Sequence, residues 1–277
     1  MTVLARGDDP PEPPATGGIP PRPPFAPAPG AAPLRQMIAA QAALETRTLL
    51  RNGEQLLLTL VIPLLLLAAF GLEPLVNFDA GMSRIDFLTP GIIALAVMST
   101  AFTSQAIATG FERRYGVLKR LGATPLSRPG LIAAKTVTVI AVELLQGALI
   151  LIVAVAIGWR PDARPSAVVV VPLLILLGTA AFSGLALLMA GTLRAEATLA
   201  GANGLYLVLL LLGGMVVPLA KLPGALRALA RALPAAALSG AMSAGLDPGR
   251  VPAHDWIVLA AWAVAAPVAA ALTFRWE

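Results

Sequence analysis

The chain contains no cysteine and a single histidine among its 277 residues. The first absence excludes structural disulfides, thiolate metal sites and cysteine nucleophiles. The second leaves His254 without a histidine partner, which argues against a histidine-based metal centre or a Ser/His/Asp triad. Charge is scarce as well, at 13% of residues, where a soluble domain carries about a quarter. The phosphate-cradling run G-x-x-x-x-G-K-[ST] is missing, as are H-E-x-x-H and the G-x-S-x-G elbow. No enzymatic centre and no bound cofactor or metal are therefore expected on this chain.

What is present is apolar and unevenly distributed. Hydrophobic residues make up 57% of the chain and lie in long runs nearly free of charge. Runs of roughly 18 or more such residues are long enough to cross a bilayer of about 30 Å. Six are expected, at about 55–72, 87–110, 136–158, 167–193, 197–219 and 256–274. The expected fold class is an all-α membrane protein with six transmembrane helices. Pro63 falls inside the first span, and only Arg194-Ala195-Glu196 separates the fourth from the fifth, which requires a tight turn. Trp159, Trp256 and Trp276 stand at span ends, where an amphipathic indole prefers to lie.

Residues 1–33 hold eleven of the 25 prolines. They read as an extended solvated tail, with a proline-rich ligand for a partner as the second reading. No apolar segment follows Met1, so no cleavable signal peptide is expected. Residues 34–54 read as a basic amphipathic helix, with Leu34, Ile38, Ala42 and Glu45/Leu49 near helical spacing and Arg35, Arg47 and Arg51 around them. Such a helix suits the membrane interface, although a plain linker helix would show the same pattern. Lysine and arginine counts favour both termini inside: thirteen fall on that side and seven on the other. The net charge of +5 is thus a matter of topology and lipid contact, and nucleic-acid binding is not expected.

Two polar interruptions stand out. Between the second and third spans, Phe111, Tyr115, Val117, Leu118 and Leu121 share one side of a helix, while Glu112, Arg113, Lys119 and Arg120 share the other. Gly122 ends that helix, and Pro125 and Pro129 keep it from restarting at once. A rigid helix here either transmits force from a soluble partner or simply fixes topology. Before the last span, Gly213-Gly214 and Pro218 break the chain, and Leu222, Leu226, Leu229 and Leu233 recur at helical spacing. Arg227 and Arg231 lie one turn apart on the polar side, and Pro234 opens the small apolar stretch to Leu246. Two short helices on or in the outer leaflet are expected, with or without a gating role.

Within the spans, Glu143 is the one acidic residue, and Gln146 and Gly147 lie on its face. A cation or proton relay is one reading; hydrogen bonds between helices or a polar patch on the translocation path is the other. Asn203 and Tyr206 have the same two readings, and Gly184, Gly191, Gly201 and Gly204 suggest close helix packing.

Two of these segments together resemble the membrane subunits of ABC-2 type transporters, the permease family that includes bacterial drug and antibiotic exporters. One is Glu112-Arg113-Arg114-Tyr115-Gly116-Val117-Leu118-Lys119-Arg120-Leu121, followed by Ala123-Thr124-Pro125-Leu126-Ser127 and by Lys135 at the third span. The other is Gly213-Gly214 to Pro218, with Leu222-Pro223 and Leu233-Pro234. The resemblance covers residues 34–277 and implies an ABC-2 (type V exporter-like) transmembrane domain behind an interfacial helix. It implies a coupling helix at 111–121 seated on a separate ATP-binding subunit, with two such subunits carrying ATP and Mg and a second permease chain, identical or not. Glu112, Arg113, Arg114, Tyr115, Lys119 and Arg120 would then belong to the coupling element. Phe111, Tyr115 and Leu118 would pack on the permease itself, and Pro218, Arg227, Arg231 and Pro234 would belong to the outer re-entrant element. Plasma-membrane location follows, as does export of a drug, antibiotic, lipid or glycan. The rivals are an ion- or proton-coupled carrier using Glu143 and a membrane assembly factor that transports nothing. The high alanine, glycine, arginine and proline content fits a GC-rich bacterial genome.

Overall fold

Apolar runs of this length can satisfy their backbone in lipid only as helices, and the described residues contain helices and turns but no strand. The computed structural model describes residues 30–53, 57–72, 84–160, 165–246 and 252–274. Most of the proline-rich tail, Arg250 and Trp276 lie outside them. Helix α1 (Leu34–Arg51) comes first, then a π-helical turn (Leu57–Val61) running into α2 (Ile62–Leu72). Next, α3 (Arg84–Met98), a π-helical stretch (Ser99–Ser104) and α4 (Gln105–Arg114) form one continuous rod. The short α5 (Val117–Gly122) leads to α6 (Arg128–Ala156), α7 (Ala167–Thr192) and α8 (Ala195–Leu212). A 3-10 turn (Leu219–Lys221), α9 (Gly224–Arg231) and α10 (Pro234–Leu246) precede α11 (Ala253–Thr273).

Among the described residues, five helices are long and apolar enough to cross a membrane: the α3–α4 rod, α6, α7, α8 and α11. The first expected span appears as a shorter apolar helix, Thr59–Leu72. The third begins at Arg128 rather than near 136. Pro129 was expected to delay it, but proline in the first turn removes an N–H that no helix would use and presets the backbone. Ser127 Oγ accepts from Gly130 N at 3.3 Å and completes the cap. The fifth ends at Leu212, earlier than expected, because Gly214 adopts φ +65° just beyond it.

The largest correction concerns residues 111–121, expected as one helix. Gly116 sits at φ +70°, and its N–H bonds back to Arg113 O at 3.1 Å. A glycine in the left-handed region terminates a helix by capping its last carbonyls. The rod therefore stops at Arg114, and α5 starts afresh at Val117. Gly116→Val should cost about 1–2 kcal/mol, the penalty of that conformation for a residue with a Cβ. Hydrogen exchange confined to residues 115–122 is the check, with no exchange change elsewhere expected.

The core centres on the α3–α4 rod. Ile92, Leu95, Met98, Phe102 and Ala106 are fully enclosed, and α2, α6, α7, α8 and α10 pack around the rod. The most extensive pairing among the described residues is α7 with α11. A Cβ on Gly184 would fall on the backbone of Ala266 and Pro267, so the two helices approach as closely as their chains allow. Gly191 faces Phe274 and Gly201 faces Met189, as the packing reading expects. Nothing among the described residues stands within 4 Å of a Cβ on Gly204, so it allows no close packing within this chain.

Candidate functional site

The α3–α4 rod, α6, α7 and α8 bring one set of ends together, and charge collects there. Lys135, two turns into α6, is buried. Its ammonium donates to Glu112 Oε2 at 2.7 Å and lies 3.4 Å from Glu45 Oε1. One cation thus joins α1, α4 and α6. Thr138 Oγ1 adds a 3.2 Å hydrogen bond to Ala42 O, which docks α1 along α6. Arg113 donates to Leu193 O at 2.6 Å, capping the end of α7. Arg114 pairs with Glu196 at the start of α8. That pair is solvent-exposed on both sides, so it contributes little stability.

Of the residues expected to contact a partner, Glu112, Arg113 and Arg114 therefore have partners within the chain. Tyr115, expected to pack on the bundle, is 61% exposed. It stacks on Phe111 with centroids 5.9 Å apart, and the Arg114 guanidinium lies over its ring. Leu118 is buried as expected and anchors α5, while Lys119 and Arg120 are exposed beside it. Arg120 reaches back to Tyr115 O at 3.4 Å. This leaves α5 as a short helix with one apolar anchor and an outward basic face.

Deeper in the bundle, Glu143 and Gln146 make hydrogen bonds between helices. Thr179 Oγ1 on α7 donates to Glu143 Oε2 at 2.6 Å, while Glu143 Oε1 has no partner among the described residues. Gln146 Nε2 donates to Thr59 O at 2.6 Å, and Thr100 Oγ1 donates to Gln146 Oε1 at 2.8 Å. Gln146 thereby ties α6 to both π-helical segments, where the widened backbone exposes groups a regular helix would hide. Tyr206 bonds to Ser99 of the same segment. Asn203, expected to act with it, is exposed on the outside of α8.

The sequence reading passed over the run Ser99-Thr100-Ala101-Phe102-Thr103-Ser104-Gln105, every residue of which is buried. Ser183 on α7 donates to Gln105 Oε1 at 2.7 Å. The signal was available: four hydroxyls and an amide in the middle of an otherwise apolar span. It also missed Lys135 as a junction, since nothing in the spacing brings Glu45 to it.

At the other end of the bundle, α9 and α10 match the two expected short helices. The second is not on the surface: Pro234 through Ser239 are all buried, and α10 packs against α3, α7 and α11. Small residues permit this insertion. Pro218 opens the 3-10 turn. Arg227 donates to Ala220 O and Leu222 O, so its charge closes its own loop. Arg231 is exposed, its carbonyl 3.2 Å from His254 Nε2, and Trp262 Nε1 donates to Ala232 O at 2.9 Å. These bonds fasten α9 to α11.

A family model described as ABC-2 type transporter matches residues 38–246. No curated protein matches the chain. The matched region runs from α1 through the inserted α10 and takes in both polar interruptions of the apolar pattern. The chain belongs to the ABC-2 type transporter family and is a multi-pass membrane permease component of an ABC-type transporter.

Proposed function

We propose that this permease serves an exporter driven by a separate ATP-binding subunit, with α5 as the element that receives the stroke. The observation that carries the reading is the form of α5: Leu118 holds it to the bundle while Lys119 and Arg120 face outward. It stands beside a junction in which Lys135 links α1, α4 and α6, so a push on α5 would reach three helices at once. The working unit in this reading is two permease chains, identical or different, with two ATPases that hold ATP and Mg. The charged end, α5 and both termini face the cytoplasm of a bacterial plasma membrane, and α9–α10 form the outer re-entrant element. Cargo is a drug, antibiotic, lipid or glycan, and Glu143, Gln146 and Tyr206 are candidates for the path. Family membership weighs against the ion-coupled reading of Glu143.

The clean test is Arg120→Glu, because Arg120 has only a weak internal bond to lose. The transporter is isolated from its native membrane through a tag on this chain, and nucleotide hydrolysis is measured with the copurified ATPase. Reversed charge should leave insertion and assembly intact while cutting transport per ATP by about tenfold, the effect of one lost charged contact. Normal coupling in Arg120→Glu and in Lys119→Glu would remove α5 from the mechanism. Glu112 is a poor probe, since its substitution also breaks the Lys135 junction.

A further inference from the structure

Helices α6 and α11 make no extensive contact with each other, and between them a cavity of about 490 Å³ opens against α4 and α7. Its size is that of a small-molecule site. Leu118 of α5 contributes to its wall, and Ile132, Leu176 and Ala271 are lining residues exposed on the outside of the bundle. The cavity therefore opens sideways, through apolar side chains, at bilayer depth. Within it are two polar groups one helical turn apart on α4. Gln105 is 8% exposed and Thr109 1% exposed, and both line the cavity. Thr109 Oγ1 has no hydrogen-bond partner among the described residues. Gln105 Oε1 accepts from Ser183 at 2.7 Å, and its amide nitrogen is a further donor on the cavity lining. A buried hydroxyl without a partner is costly, and an acceptor in the cavity would relieve that of Thr109.

We propose that this cavity holds a membrane glycerolipid, with its acyl ester carbonyl accepting hydrogen bonds from Gln105 and Thr109 and its chain lying in the apolar trough. Three observations select this occupant. Thr109 through its hydroxyl and Gln105 through its amide can both donate, which suits a carbonyl. The ammonium of Lys135, the cation in the lining, already lies between Glu45 and Glu112, so an anionic group gains nothing in the cavity. Depth agrees too: Thr109 and Gln105 precede the charged end of the rod at Arg114 by five and nine residues. At 1.5 Å per residue they lie roughly 8 and 13 Å below it, so Thr109 stands at the edge of the hydrocarbon core, where ester linkages lie, and Gln105 one turn deeper. The occupant is independent of the cargo and of the ATPase, and the proposal rests only on the membrane setting.

The test uses the purified full chain in dodecyl maltoside micelles with a phosphatidylethanolamine carrying a diazirine in one acyl chain. Labelled peptides should concentrate in residues 131–140, 176–187 and 267–274. Diacyl phosphatidylethanolamine should displace the label at about tenfold lower concentration than its dialkyl-ether analogue, the ratio expected for two ordinary hydrogen bonds. Gln105→Leu/Thr109→Val should erase that ratio, while the ester-versus-ether comparison on the unaltered chain stands whether or not the variant folds. Equal displacement by ester and ether lipids, or labelling spread evenly over all outward faces, would overturn the proposal. So would a disulfide between copies of an Ile132→Cys chain, because a second permease would then cover the rim.

Discussion

Replacing Lys135 by methionine should lower stability by about 3 kcal/mol, the lower end of the loss when one partner of a buried ion pair is removed. The lower end applies because Glu45 and Glu112 keep 16% and 24% of their side-chain surface. Methionine matches the length of the lysine stem, so packing is nearly preserved and the loss is electrostatic. Two carboxylates would face each other without a cation, and α1 would come away from α6. Thermal unfolding in detergent reads the first effect, and hydrogen exchange over residues 34–51 reads the second. Neutralising the carboxylates as well, in Lys135→Met/Glu45→Gln/Glu112→Gln, should recover most of the loss, since a neutral cluster has no charge to compensate. A single variant as stable as the parent would mean that the junction contributes nothing.

A second large effect is expected where helices touch rather than where charges meet. Glycine to alanine inside a helix ordinarily stabilises by about 0.5–1 kcal/mol. Gly204→Ala should follow that rule, since nothing stands within 4 Å of its new Cβ. Gly184→Ala should do the opposite. Its Cβ would meet the backbone of Ala266 and Pro267, which no side-chain rotation can move aside. Proline at 267 also removes an N–H and makes the local helix less able to shift smoothly. Separating α7 from α11 should cost roughly 3 kcal/mol, as overpacking at rigid contacts does. Folded yield by size exclusion, compared between the two variants, gives opposite signs if the packing argument holds.

Both residues show where sequence reading stops. Gly184 was expected to allow close packing and does, but Gly204 carried the same expectation and faces open space. The two are indistinguishable by spacing, because only the neighbouring helix makes a glycine necessary. Lys135 was visible as a cation near the start of the third span. Glu45 lies 90 residues away in sequence, and no local pattern announces that the two carboxylates converge on it. The 111–121 segment failed for a different reason. Its side-chain pattern is helical throughout, yet Gly116 takes a positive φ that the pattern does not encode. Arg113 and Arg114, which the ABC-2 likeness assigned to the coupling element, instead cap α7 and pair with α8.

The sequence by itself determined the membrane setting, the all-helical class, the approximate limits of the spans and the two segments on which the ABC-2 likeness rests. These follow from backbone physics that acts over one helix at a time: an apolar run must be helical in lipid, and glycine and proline mark its ends. Tertiary structure alone decided the burial of α10, the Lys135 junction and the lateral cavity lined by Gln105 and Thr109. Each of these depends on which distant helix lies alongside, and that is set by side-chain packing in three dimensions, which no single segment specifies.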